Sequence, residues 1–180
     1  MKPDLELTSV PTWATTACRP SADLTGKYWT IVGFGAEAEP MVGTWTAQLS
    51  GVDSQAAIRI HRVGAHDDAA AAAAVSSDLG DAVVGWRLMI AGPADACLRL
   101  RAHALRSGVA DDEMLVASTS VGVREVVCVH CGVRTRTAAD LEGVVACTGC
   151  RRNLFVYYHV SRLKGAHLGF MVDAEKVSSR

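Results

Sequence analysis

The chain has 180 residues, of which 49% are hydrophobic and 21% charged, and its formal net charge is −1. This composition excludes an intrinsically disordered chain, whose low apolar content could not offset the conformational entropy lost on folding. The length allows one domain of ordinary size together with a small second module.

The first elements predicted in chain order are an arm, a strand and a helix. Residues 1–26 contain three prolines and predict an irregular N-terminal arm. Residues 27–33 have strand composition, and Pro40 is typical of the first turn of a following helix. Residues 56–63 alternate as a second strand, and the alanine run 69–74, preceded by two aspartates, predicts a second helix.

The next elements repeat this strand–helix order. Residues 83–91 predict a third strand, Gly92 and Pro93 a turn, and residues 94–107 a third helix that ends at Gly108. Strand composition returns from residue 115 to residue 127. The order βαβαβαβ predicts an α/β domain with a small, mostly parallel sheet over residues 27–123, followed by a separate module over residues 124–180.

Four of the six cysteines form two Cys-x-x-Cys pairs in the predicted C-terminal module. Cys128 and Cys131 are separated from Cys147 and Cys150 by 15 residues, a spacing typical of structural zinc ribbons. Each pair predicts one tight turn, with Gly132 and Gly149 supplying the unusual backbone angles. We therefore expect a single tetrahedral metal site made by the four cysteines.

Zinc is the expected metal, and iron is the alternative, because a tetrahedral set of four thiolates also suits a rubredoxin-like, redox-active iron centre. Four thiolates leave no open coordination position, which argues against a metal that activates water or substrate. We predict no catalytic residue in this chain. His130, which lies between two of the ligands, is expected to support the site or to face solvent.

Two glycine-containing turns resemble the pyridine-nucleotide module of the ferredoxin-reductase family. Gly33 and Gly35 follow the first strand, and Gly92 and Pro93 precede the third helix. Ala91 stands where that family has a cysteine beside the nicotinamide, and Ala96 where it usually has methionine. The resemblance implies the reductase-type α/β fold and marks these four residues as a remnant of a nucleotide site, and it favours a module kept for its shape over nucleotide binding.

The block from Cys128 to Glu175 resembles the small subunit of dimethylamine monooxygenase, most closely in the run from Cys147 to Phe170. The resemblance implies an accessory subunit, structural or electron-relaying, of an enzyme that uses NADPH and O₂ to N-demethylate a secondary amine. It further implies a haem-bearing oxygenase subunit and a reductase subunit carrying FMN and an iron–sulfur cluster as partners. None of these three cofactors is expected on this chain.

The C-terminal module also contains the candidate residues for docking. Residues 124–180 carry 9 Lys and Arg against 5 Asp and Glu, whereas residues 1–123 carry 9 against 14. This mild basic excess, without a clustered basic face, favours a protein partner over nucleic acid. Arginines beside aromatic side chains are typical of binding hot spots, and the predicted docking set is Arg151, Arg152, Phe155, Tyr157, His159 and Arg162.

Two further expectations concern location and the competing function. No N-terminal stretch has the pattern of a signal peptide, and no apolar run approaches the roughly 20 residues that span a bilayer, so we expect a cytoplasmic protein without membrane contact. The alternative to an oxygenase subunit is a stand-alone zinc-ribbon module that binds protein or nucleic acid.

Overall fold

The structure, a computed structural model, describes residues 3–52 and 57–172. Four strands form a parallel sheet: β1 (Tyr28–Phe34), β2 (Ala57–Val63), β3 (Trp86–Pro93) and β4 (Met114–Ser120). Their order across the sheet is β2-β1-β3-β4. The helices α1 (Glu39–Val52), α2 (Asp68–Gly80) and α3 (Ala94–Arg106) connect consecutive strands. The predicted α/β fold with a parallel sheet is confirmed.

The parallel sheet is buried on both faces, as its near-continuous apolar strands require. On one face Ile31 and Met89 pack against Trp45 of α1. On the other face Val32 and Ile90 belong to a cluster that also contains buried residues of α2 and α3. Because successive side chains of a strand point to opposite faces, β1 and β3 each contribute to both clusters.

A second sheet of five strands follows: β5 (Arg124–Cys128), β6 (Arg134–Thr137), β7 (Val144–Ala146), β8 (Asn153–Ser161) and β9 (Ala166–Met171). Their order is β6-β5-β9-β8-β7. The pair β5–β9 is parallel, and the other pairs are antiparallel. This separate sheet carries the cysteines, as a zinc-ribbon-like module requires.

Three predicted element boundaries differ from the structure, and in the first of them the third strand, predicted from residue 83, begins at Trp86. The single strand-like stretch 115–127 is divided between β4 and β5, which belong to different sheets. Gly92 and Pro93 do not form a turn but end β3, where the register to β4 shifts. Strand composition on both sides of Gly122 concealed the division of residues 115–127, because the sheet that a strand joins depends on its pairing partners.

The N-terminal arm contacts both sheets. The Cys18 backbone N–H donates to the Ser118 carbonyl of β4 at 3.2 Å, and the Val160 N–H of β8 donates to Ser9 Oγ at 3.0 Å. Val10 and Ala14 are buried together with Leu98 and Val160. The arm therefore ties the cysteine-bearing sheet to the α/β part of the chain.

Ion pairs also cross from α3 to the second sheet. Asp95 is almost fully buried, and its Oδ2 lies 3.1 Å from the guanidinium of Arg99 and 3.3 Å from that of Arg136. Glu125 lies 3.3 Å from Arg99 and 2.6 Å from Arg134. Because each carboxylate is shared by two arginines, one from each part of the chain, the network fixes how α3 meets β5 and β6.

Some expectations fall outside this description. Residue 56 of the predicted second strand and residues 173–175 of the resemblance are not among the described residues. No helix within residues 3–52 and 57–172 has the length and apolar character needed to cross a bilayer.

Candidate metal centre

The four predicted cysteines come together in the second sheet. Cys128 is the last residue of β5, Cys131 lies in the turn after it, and Cys147 and Cys150 lie between β7 and β8. All four sulfurs lie within 4.8 Å of one another. Cys128 Sγ is 3.7 Å from Cys150 Sγ, and Cys131 Sγ is 3.5 Å from Cys147 Sγ.

The two cysteine turns have the same backbone hydrogen bonds. In the first, the Cys128 N–H donates to the Val133 carbonyl, and the Gly132 N–H donates back to the Cys128 carbonyl. In the second, the Cys147 N–H donates to the Arg152 carbonyl, and the Arg151 N–H donates to the Cys147 carbonyl. The second turn therefore repeats the first, 19 positions later in the chain.

The glycines in these turns have different roles from those predicted. Gly132 has φ +76°, as predicted, but the equivalent position in the second turn is Arg151, with φ +61°. Gly149 instead makes room, because a Cβ there would lie 2.7 Å from Val133 Cγ2 and 3.3 Å from Cys131 Sγ. The prediction that Gly149 supplies an unusual backbone angle was therefore wrong. The position needs a small residue because the two turns pack closely there.

Backbone N–H groups aimed at two of the sulfurs lower the pKa of those thiols, whereas at Cys131 the effect of the Val133 N–H is outweighed by burial and the neighbouring cysteine sulfurs, which raise the pKa to about 11. The pKa of Cys147 falls to about 6, chiefly because the Cys150 N–H donates to its sulfur, and the Gly149 N–H adds to this against the effect of burial. The pKa of Cys150 is lowered chiefly by the Arg152 N–H. Donors of this kind stabilise thiolates, the form in which cysteine binds metals.

Polar side chains connect and support the two turns. The Thr148 N–H donates to Thr135 Oγ1 at 3.2 Å, so β6 is joined to the second cysteine turn. Arg152 Nη1 lies 2.6 Å from His130 Nδ1, which links the turns on the outside. His130 is exposed, contacts Arg152 and lies outside the four clustered ligand groups, and its role at the site stays a prediction.

The cluster fits a four-thiolate metal ion. Tetrahedral Zn²⁺ with Zn–S bonds of about 2.3 Å places its ligand sulfurs roughly 3.8 Å apart, close to the 3.7 Å and 3.5 Å distances given above. Cys128 and Cys147 are buried, whereas Cys131 is exposed, so the cluster lies at the surface of the module. Four cysteines that converge in this way can hold zinc or iron, and the geometry is shared by both.

The four residues of the predicted nucleotide remnant lie at the carboxyl ends of β1 and β3. A Cβ at Gly33 would lie 2.9 Å from Val42 Cγ2, and a Cβ at Gly92 would lie 2.6 Å from Phe34 Cβ. The missing side chains thus make room for the protein's own side chains. The same residue types in a nucleotide-binding turn would make room for a phosphate, and sequence alone cannot separate the two uses.

The predicted docking residues separate into two groups. Phe155 and Tyr157 lie together on β8, with ring centroids 6.1 Å apart, and His159 is exposed on the same strand. The arginines are engaged differently: Arg162 forms an ion pair with Asp111, next to α3, and Arg152 contacts His130. The aromatic part of the predicted set is therefore the part that forms a continuous surface.

An open apolar groove of about 370 Å³ lies on this surface, which we call the aromatic groove. Its lining residues are Phe155, Tyr157, Phe170, Met171 and Val172. Tyr157 and Phe170 keep 51% and 40% of their surface exposed, and their ring centroids are 5.8 Å apart. The contribution of β9 was missed, although the alternation of residues 166–171 already placed Phe170 on one face of a strand.

A bulge in β8 includes Tyr157, one of the residues that line the groove. Val156 pairs with Gly169 and Val160 with His167, so β8 has two more residues than β9 over this interval. The register shift falls at residues 157–159, which include Tyr157 and His159. Because bulges redirect side chains and frequently occur beside functional sites, this irregularity supports a binding role for the groove.

Comparisons with known proteins agree with the resemblance seen in the sequence. Residues 125–170 match the family model described as dimethylamine monooxygenase subunit DmmA-like, C-terminal domain. A relative from Ectopseudomonas mendocina (strain ymp), the heme-dependent oxidative N-demethylase delta subunit, is 38% identical over 102 residues. The aligned stretch covers 57% of this chain and 57% of the relative. No solved structure matches.

Proposed function

We propose that this chain, whose β5–β9 region resembles the dimethylamine monooxygenase small subunit, is an accessory subunit of a haem-dependent amine N-demethylating oxygenase. The family match carries the proposal, since its 46 residues cover both cysteine turns and most of the aromatic groove. The relative's description as a delta subunit supports assembly with other subunits. The enzyme uses NADPH and O₂ to demethylate a secondary amine, with dimethylamine as the first candidate.

The four cysteines hold one zinc ion with a structural role in this proposal. Four thiolates fill a tetrahedral coordination sphere, so the ion binds no substrate and no oxygen. Closing both turns around it would keep β5, β8 and β9 in the register that forms the aromatic groove. Iron at the same site would instead make the chain an electron relay, and the absorbance of the purified protein distinguishes the two, since ferric thiolate centres are coloured and zinc is not.

Haem, FMN and the iron–sulfur cluster are carried by the partner subunits in this proposal. Within the described residues the four cysteines are the cluster of three or more ligand groups that could hold a metal ion, and the proposal assigns all four to one ion. The relative's description as a delta subunit of a heme-dependent enzyme supports a haem-bearing oxygenase subunit and a flavin and iron–sulfur reductase subunit as the proposed partners. The α/β part serves as a scaffold that presents the metal module.

The aromatic groove is the proposed docking site, and its occupant is the oxygenase or reductase subunit of the same complex. An exposed pair of aromatic rings beside a groove is the surface type enriched at binding hot spots. Arg151, just before β8, and His159, on β8, are exposed, and the proposal assigns them polar contacts at the rim. Phe155 lines the groove, and Arg152 and Arg162, which contact His130 and Asp111, complete the proposed set from outside it.

Co-expression of the tagged chain with the genes that neighbour its own tests the assignment. We expect a stable complex with a haem absorbance band, bound flavin and amine-dependent NADPH oxidation. A chain that purifies alone from this co-expression, without pigment or partner, would contradict it. Tight, salt-sensitive DNA or RNA binding by the chain would instead favour a stand-alone zinc-ribbon module.

A matched pair of variants tests the docking site. Tyr157→Ser in the groove should weaken the complex by about tenfold or more, because truncating a hot-spot aromatic costs about 2 kcal/mol or more. Tyr28→Ser is the control, since Tyr28 is 41% exposed at the start of β1, away from the groove. Equal weakening by both variants would contradict docking through the groove, and metal content should stay unchanged in both.

A further inference from the structure

A second cavity lies where the α/β part meets the cysteine-bearing sheet. It has a volume of about 200 Å³ and is lined by residues of α2, α3, β6 and the β8–β9 turn. Its charged and polar lining residues are Asp68, Arg99, His103, Arg106, Arg134 and Lys164. Four fixed cations and one carboxylate therefore share a small cavity, and this charge balance favours an anion.

The cavity's cations are not equally engaged with carboxylates. Arg99 lies 2.7 Å from Asp68, and it also reaches Asp95 and Glu125. Arg134 pairs with Glu125 at 2.6 Å. Within residues 3–52 and 57–172, neither Arg106 nor Lys164 forms an ion pair. Two positive charges on the cavity wall are thus available to a ligand.

Hydrogen bonds from Arg106 and Arg134 to the β8–β9 turn hold these two guanidinium groups in place. Arg106 Nη1 donates to the Leu163 carbonyl and Arg134 Nη2 to the Lys164 carbonyl, both at 2.5 Å. The turn itself is pressed onto α3, because a Cβ at Gly165 would lie 2.4 Å from the Leu98 carbonyl oxygen. The guanidinium groups of Arg106 and Arg134 and the backbone of Lys164 therefore keep their positions without an anion present, which reduces the entropy lost on binding one.

We propose that this cavity binds a phosphate group, either as free phosphate or carried by a small molecule. Guanidinium groups bind the oxygens of phosphate through two parallel hydrogen bonds, and lysine adds a compact charge. The volume suits one phosphate group, and the rest of a carrier such as a mononucleotide would extend out of the open cavity. The site is distinct from the glycine-containing ends of β1 and β3, and it does not depend on the assignment as an oxygenase subunit.

Calorimetric titration of the metal-loaded full-length protein tests this site. Orthophosphate and adenosine monophosphate are the two probes, at ionic strength held constant with sodium chloride. Lys164→Gln should weaken binding by about tenfold or more, the loss expected for one charge-assisted hydrogen bond. Its fold should persist, because the hydrogen bonds of Lys164 run through its backbone N–H and carbonyl.

Lys27→Gln is the matched control, since Lys27 is an exposed lysine that does not line the cavity. Wild-type affinity for both probes in this variant, together with the loss in Lys164→Gln, supports the site. Equal affinities for the two probes indicate that free phosphate suffices, and tighter binding of the nucleotide indicates a carried phosphate. Absence of binding by both probes, or binding that Lys164→Gln leaves unchanged, would overturn the proposal.

Discussion

The two parts of this chain reach a folded state by different means. The α/β part buries apolar side chains on both faces of its sheet, with fully buried Trp45, Leu88 and Ile90 among them. The cysteine-bearing sheet has a core of five buried residues, two of which are the cysteines Cys128 and Cys147. A core this small supplies little hydrophobic stabilisation, so the metal ion of the proposed function would be the main source of folding free energy in the second part.

Removing the metal site should cause the largest loss of stability among these substitutions. That loss should be confined to the cysteine-bearing sheet. Structural zinc contributes on the order of 10 kcal/mol to the folding of small modules. We therefore expect Cys128→Ser to abolish metal binding and the hydrogen-exchange protection of β5–β9, while β1, β3 and β4 stay protected. Hydrogen-exchange mass spectrometry and metal analysis measure both effects.

The matched control for this substitution is Cys18→Ser, because Cys18 is a partly buried cysteine outside the cluster. That variant should keep the metal and the protection pattern of the wild type. A metal-free Cys128→Ser protein with β8 and β9 still protected would mean that apolar burial alone folds the second part.

A large cavity in the α/β core should destabilise the α/β part and leave the metal site intact. Trp45 is fully buried, and its indole N–H donates to the Pro20 carbonyl at 2.9 Å. Trp45→Ala should therefore lower the free energy of unfolding by about 3–5 kcal/mol, measured in urea at fixed protein concentration. Metal content should not change. Leu7→Ala, at a side chain that is 86% exposed, should change stability by less than about 0.5 kcal/mol.

Acid should destabilise the second part through His167. Burial, with a further contribution from the charge of Arg124, lowers the pKa of His167 to about 4, and neither ring nitrogen has a hydrogen-bond partner in the described part of the chain. Because the folded-state pKa lies below the unfolded value of about 6.5, this contribution is complete above pH 6.5 and is lost as the pH falls towards 4, by about 3 kcal/mol.

Replacement of His167 by leucine should therefore flatten the acid side of the stability curve relative to the wild type. Urea unfolding at pH 7 and pH 4.5 measures the difference, and metal release affects both proteins alike. His159→Asn is the control, since His159 is exposed and should keep the wild-type pH dependence. Identical curves for His167→Leu and the wild type would contradict the buried neutral imidazole.

Two glycine substitutions should have the smallest effects, with opposite signs. Gly132 has φ +76° and open space around its Cα, so Gly132→Ala should cost about 1–2 kcal/mol through backbone strain alone. Gly43 lies in α1 with equally open space, and Gly43→Ala should stabilise by about 0.5–1 kcal/mol. Thermal unfolding of the metal-loaded protein measures both changes in stability. Destabilisation by Gly43→Ala would contradict the prediction that helix propensity decides the effect at this position.

Local sequence rules placed most elements of this fold. Pro40 lies in the first turn of α1, Asp67 caps α2 by accepting the Ala70 N–H, and Gly108 follows α3 with φ +94°. The cysteine spacing likewise predicted one cluster. These features depend on residues within a few positions of one another, which is why patterns along the chain reveal them. The cofactor and partner assignments depended on family resemblance and remain proposals.

Other features depend on residues far apart in the chain. The division of residues 115–127 between two sheets, the left-handed position of Arg151 and the convergence of Arg106 with Lys164 have no local signature. The sequence by itself determined the alternation of strands and helices and the grouping of four cysteines into two turns that share one site, because backbone preference and ligand spacing are local. Tertiary structure decided which strands pair, which side chains are buried and which charges meet, because those depend on contacts between distant segments.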